Sequence, residues 1–109
     1  MLSDKLAGYL GFAARSRKIQ SGYNTALFLL GKRKAKLIIM ADEAAEGTKD
    51  KVSGKAKSAG VPCVIFGKSE ELSKVTGAGA GMIFTVTDTN FAKIISEEID
   101  RIRSEGENS

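Results

Sequence analysis

At 109 residues, 42% of them hydrophobic and 28% charged, the chain has the composition of one ordinary globular domain. A single cysteine excludes an internal disulfide, and the lack of histidine excludes an imidazole base and a Cys/His metal centre. The net charge of +4 is unevenly spread: residues 1–36 hold eight Lys or Arg against one acid, and the remaining residues hold nine against twelve.

Asp4 stands where a signal peptide would be positive, and Arg15, Arg17 and Lys18 follow the apolar stretch rather than precede it. No apolar run approaches the roughly 20 residues that span a bilayer. The expectation is a chain of the reducing cytoplasm, with no membrane partner.

Ser3 can cap a first helix that carries Leu6, Tyr9, Leu10 and Ala13 at helical spacing. An extended piece over 18–21 leads to Gly22, and a second helix runs to about Gly31 or Arg33. The apolar run 37–41 predicts a strand, 42–47 a polar loop, and Thr48 a cap for a third helix with a thin stripe of Val52, Ala56 and Ala59. Gly60 and Pro62 set off a strand over 63–66. Ser69 is placed to cap a fourth helix ending at Gly77, a glycine loop over 77–81 follows, and 82–86 reads as a strand. A last helix from about 88–90 buries Phe91, Ile94, Ile95, Ile99 and Ile102. Such alternation, with short connections, predicts an α/β fold: a three-layer α/β/α sandwich around a small mixed sheet of about four strands. One domain covers 1–103, and 104–109 reads as a flexible polar tail.

Groups that could do chemistry are few. Cys63 sits inside an apolar strand, where it packs as a small hydrophobe. Asp42-Glu43 is a possible carboxylate pair, but adjacent side chains diverge, and a solvated loop accounts for both. The glycine loop follows a helix and opens a strand, the reverse of a dinucleotide-binding fingerprint. The expectation is therefore no catalytic residue, no metal and no cofactor.

The second helix is richer. Gly22 allows close backbone approach, free N–H groups at a helix start attract anions, and Asn24 can read a base edge. At 100° per residue, Tyr23, Ala26, Leu27 and Leu30 share the core face, while Asn24, Thr25, Phe28 and Lys32 face outward. The basic run Lys32-Arg33-Lys34-Ala35-Lys36 lies one helix length on. Basic clusters on both sides of this helix suit a phosphorylated polymer.

The run from Gly22-Tyr23-Asn24 through Lys34-Ala35-Lys36-Leu37-Ile38-Ile39-Met40-Ala41-Asp42 resembles the ribosomal L-seven-Ae family, whose pattern is Gly-x-Asn, a helix, then Gly-Lys-Ala-Lys-Leu and an apolar strand. Val61-Pro62, Glu70-Glu71-Leu72 with Gly77, and Val86-Thr87-Asp88 before Phe91-Ala92-Lys93 extend the match in order from about Leu6 to Ile95. The ending looks most like the bacterial YlxQ-like branch. This resemblance implies recognition of kink-turn RNA, ribosomal RNA among the options, in a ribosome or other ribonucleoprotein. Carried over by position, Gly22, Tyr23, Asn24 and Thr25 would meet the bent RNA, with Asn24 on a guanine edge. Phe28, Lys32, Arg33 and Lys34 would extend that face, and Gly79, Ala80, Gly81 and Met82 would cover an extruded nucleotide. Two positions depart from the pattern: Thr25 and Phe28 stand where many members have Glu and Lys. The loop between Gly77 and Ile83 also lacks the basic residue that many members carry. These exchanges imply weaker binding, since each good base contact is worth roughly 1–3 kcal/mol. They also open the alternative of a protein-interaction module that uses the Thr25/Phe28 face, where Thr25, Phe28 and Leu29 form a neutral outward surface.

Overall fold

The computed structural model describes residues 2–78 and 81–107, and within them helices and strands alternate as expected. The elements are α1 (Asp4–Arg15), β1 (Ile19–Ser21), α2 (Tyr23–Gly31), β2 (Leu37–Met40), α3 (Glu46–Ser58), β3 (Cys63–Ile65), α4 (Ser69–Thr76), β4 (Ile83–Val86) and α5 (Thr89–Glu107). The strand order is β1-β4-β2-β3. β4 runs antiparallel to both neighbours, pairing Ser21 with Phe84 and Met40 with Ile83, and β2 and β3 are parallel. The sheet is thus mixed, as read from the sequence.

The two central strands are buried on both faces, which is why they read as unbroken apolar runs rather than alternating ones. Leu37, Ile39, Phe84 and Val86 point into a core filled by Leu6 and Leu10 of α1, Leu72 of α4, and Ile95 and Ile99 of α5. Ile38, Met40 and Ile83 point the other way, against Ala26, Leu29 and Leu30 of α2 and Val52 and Ala56 of α3. Helices α1, α4 and α5 therefore form one outer layer, and α2 and α3 the other.

Ser3 caps α1, its Oγ accepting the Leu6 N–H at 3.0 Å and donating to Glu98 at 2.8 Å. Asp88 caps α5 by accepting the Phe91 N–H. At the β3 edge, Arg103 donates to the Ile65 carbonyl and lies over the Phe66 ring, blunting an unpaired strand.

Several local expectations need correction. α3 begins at Glu46 with Ala45 as its cap residue, so Thr48 lies inside the first turn. Buried Ala44 anchors the approach, and Glu46 suits the positive end of the helix dipole. Ala59 is the exposed C-cap of α3 rather than part of its buried stripe. Ser69 is the first residue of α4, not its cap. α5 continues as helix to Glu107, into the segment read as a polar tail.

Candidate nucleic-acid interface

Between β1 and α2 the chain must turn sharply, and it does so at Gly22, whose φ of 121° and ψ of 148° are rarely open to residues with a side chain. The Gly22 N–H donates to the Ile83 carbonyl at 2.9 Å, so the turn is fastened to the sheet. A glycine cap brings no side chain to the helix start, and the first turn holds no acid. The first intrahelical bond is Ala26 N–H to the Gly22 carbonyl at 3.0 Å. The amides of Tyr23, Asn24 and Thr25 are thus left facing outward at the positive end of the dipole. Asn24 is exposed beside them.

Beside this start lies the segment before β4. A Cβ on Gly81 would sit 3.1 Å from Phe84 Cζ and 3.3 Å from Ser21 Cβ, so glycine lets this backbone press against the end of β1 without displacing either neighbour. Two serines one turn apart on α4 hold it there. The Gly81 carbonyl accepts from Ser69 Oγ at 2.6 Å and from Ser73 Oγ at 3.3 Å, and the Gly81 N–H donates to Ser73 Oγ at 3.0 Å. Met82, 41% exposed, follows directly. Gly22, Tyr23, Asn24 and Thr25 are thereby brought together with Gly81 and Met82, residues far apart in sequence. Gly79 and Ala80 lie outside the described residues.

The acidic pair Asp42 and Glu43 supports this arrangement. A Glu43 oxygen accepts the Ser69 N–H at 2.8 Å and so caps α4 from a distant loop. That bond, helped by Lys68 and Lys49, holds the Glu43 carboxyl below its ordinary value. Asp42 pairs with Lys68 at 3.7 Å. Each carboxylate has its own structural partner, which is not the geometry of a shared acid–base site. Sequence reasoning missed Ser69, Ser73 and Glu43 as supports of this segment. The i, i+4 spacing of the two serines places them on one helix face, which was the available signal.

Along α2 the outward strip is Asn24, Phe28 and Lys32, all exposed. Phe28 leaves 59% of its surface in solvent, unusual for a side chain of its size. Thr25 is half-buried, and Tyr23 packs at the margin of the core with Lys51 Nζ 6.0 Å from its ring centroid. Leu29 is not outward with Phe28: only 4% is exposed, because the stripe facing the sheet is wide enough to take Ala26, Leu29 and Leu30 together.

Lys32, Arg33 and Lys34 do not converge on Asn24. At 1.5 Å per residue, Lys32 lies about 12 Å further along the helix axis. They cluster at the opposite end of the sheet, where Lys36 N–H bonds to Val86 and Thr87 N–H bonds to Lys18. Arg17 and Arg33 both have φ of 60°, just past the ends of α1 and α2. Glycine is the common residue at that position, and a side chain there costs about 1–2 kcal/mol.

Cys63 is partly buried beside Ser53, with 3.8 Å between Sγ and Oγ, and burial pushes its thiol pKa up, away from nucleophilic use. Among the described residues no group of three or more Asp, Glu, Cys or His side chains is placed to hold a metal, and no helix is long and apolar enough to cross a membrane.

A model of the ribosomal protein L7Ae/L30e/S12e/Gadd45 family matches residues 4–96. The chain belongs to that family. It is 30% identical over 96 residues to the RNA-binding protein YlxQ of Enterococcus faecium, covering 88% of this chain and 92% of the relative. It is 33% identical over 88 residues to the RNA-binding protein YlxQ of Bacillus subtilis, covering 80% and 88%. Among solved structures, a protein of unknown function from Bacillus halodurans superposes with a TM-score of 0.86 at 26% identity, over 90% of this chain and 99% of that one. A Giardia lamblia 15.5 kD RNA-binding protein shares the fold, with a TM-score of 0.72 at 18% identity over 95% and 92% of the two chains.

Proposed function

We propose that this family member is a non-enzymatic RNA-binding protein that recognises a kink-turn, or a similarly bent RNA, within a ribosome or other ribonucleoprotein of the cytoplasm. The observation that carries the reading is the seating of the uncapped α2 start, Gly22 to Thr25, against Gly81 and Met82. An RNA in which two strands diverge offers a groove edge to the first element and an extruded nucleotide to the second. The YlxQ relatives, named as RNA-binding proteins, support the class of ligand. In this reading Asn24 hydrogen-bonds a guanine edge, the Tyr23 and Thr25 amides face phosphate, and Gly81 and Met82 cover the extruded nucleotide together with Gly79 and Ala80. Lys32, Arg33 and Lys34 neutralise phosphates further along. Gel-shift titrations with a kink-turn and its unkinked control test it: Asn24→Ala removes discrimination between the two, whereas Lys32→Ala weakens both. Equal affinity of the parent protein for the two RNAs overturns it.

The exposure of Phe28 favours a second reading, a protein-interaction module that uses the Thr25/Phe28 face. Phe28→Lys separates them, strengthening binding to RNA and abolishing insertion into a protein pocket.

A further inference from the structure

Between the C-terminal half of α2 and the stretch of α3 from Asp50 to Ser58 lies an open groove of about 1000 Å³, which shares only Arg33 with the residues proposed to meet RNA. Its cations are Arg33 and Lys36 on one side and Lys51 and Lys55 on the other, against the single acid Asp50. All four are exposed, and no aromatic side chain lines the groove among the described residues. Glycine lines it from both sides, Gly31 at the end of α2 and Gly54 within α3, which leaves that part of its floor without side chains. Neither glycine has a neighbouring atom within 4 Å of where a Cβ would sit, so packing does not require them. Open glycines inside helices recur at Gly8, Gly47 and Gly106, so Gly54 supplies space to the groove rather than a signal of its own.

We infer that this groove is a second RNA-binding surface, holding a stretch of phosphodiester backbone away from the base-reading start of α2. The occupant follows from the lining: four cations suit a polyanion, a glycine floor admits a bulky backbone, and the lack of aromatic platforms disfavours stacked bases. Lys51 joins the two surfaces, because the same side chain that borders the groove lies over the Tyr23 ring. One RNA can therefore pass from Asn24 past Lys51 and along α3 to Lys55. Bases are read at one end of α2, and the charge of the flanking strand is neutralised in the groove. This inference rests on the RNA-binding reading but not on the kink-turn.

The test uses the full chain and measures affinity for a kink-turn RNA and its unkinked control across a salt series. Lys51→Gln with Lys55→Gln should lower affinity for both RNAs on the order of tenfold, flatten the slope of log K against log salt by about 2, and leave their ratio unchanged. Gly54→Glu places a carboxylate in the groove and should weaken both RNAs similarly without lowering the melting temperature, and Gly54→Ala, which adds bulk without charge, should weaken them less. Parental affinity and salt slope in both Lys51→Gln/Lys55→Gln and Gly54→Glu overturn the inference and point to another polyanion, such as an acidic protein segment. A parent that fails to discriminate the two RNAs sinks the kink-turn reading alone, since the salt slope still reports on the groove.

Discussion

Lys32 lies one helical turn beyond Phe28, its Nζ 5.7 Å from the centroid of the exposed ring. The ammonium covers one part of the aromatic face and the rest stays in solvent, so the pair forms a cationic and apolar step on the outside of α2. A contact of this kind at an exposed site is worth about 0.5–1 kcal/mol. Phe28→Ala is therefore expected to change unfolding free energy by no more than about 1 kcal/mol, measured by urea denaturation. A loss of several kcal/mol would show that the ring is part of the fold rather than of a surface for ligands.

A methyl group on Gly81 would press on Phe84 and Ser21 more tightly than ordinary packing. Phe84, whose ring is the near contact, is 1% exposed and packed in the main core, so it cannot swing away. Gly81→Ala should destabilise the protein by about 1–3 kcal/mol, the usual penalty of overpacking. It should also weaken RNA binding beyond what stability explains, because the segment before β4 is pushed off the β1–α2 turn. Calorimetry with a titration below the lowered melting temperature separates the two effects.

Glu98 is buried, bonded to Ser3 and bridged to Arg101. The bonds from Arg101, with Ser3 and Lys5 contributing, hold its carboxyl down to about 2 against an ordinary 4.5. A carboxylate with a depressed folded-state pKa adds stability that is fully present above about 4.5 and disappears as the pH falls toward 2. The urea midpoint should fall over that window, and Glu98→Gln should flatten this part of the profile. An unchanged profile in the variant would assign acid sensitivity to other carboxylates.

Thr85 sits in the middle of β4, fully buried, and its Oγ1 has no hydrogen-bond partner among the described residues. Replacing an unsatisfied buried hydroxyl by a methyl of similar size removes a desolvation penalty of about 1–3 kcal/mol. Thr85→Val should raise stability by about 1 kcal/mol with unchanged RNA binding. Destabilisation would imply that the hydroxyl is bonded in solution.

The layers were legible because periodicity changes cleanly between elements: runs such as Ile38-Ile39-Met40 announce strands covered on both faces, and Ile95 and Ile99 a helix covered on one. The three-residue β1 read only as an extended piece, since its ladder depends on Phe84 to Val86. Leu29 misled because nearly every residue of α2 is apolar, leaving the wheel little contrast. Asn24 and the exposed Phe28 were found from spacing. The Glu43 bond to the start of α4 was not, because capping from 26 residues away leaves no local pattern. The groove between α2 and α3 was invisible for a related reason, as its cations come from the loop after α2 and from α3, with a strand between them.

The central position of β4 sets the order of events during synthesis. β1 and β2 do not pair with each other: β1 pairs only with β4, roughly 65 residues further on, and β2 pairs with β3 and with β4, the latter roughly 45 residues on. A chain still emerging from the ribosome can form α1 and α2, yet the Gly22 N–H has no Ile83 carbonyl to hold the turn and Gly81 is not there to meet Ser21. The surface proposed to face RNA thus comes into being late and all at once, when the C-terminal third closes the sheet. An unfinished copy carries the basic residues without the shape that would direct them, so on the proposed reading selectivity is the last property to be acquired.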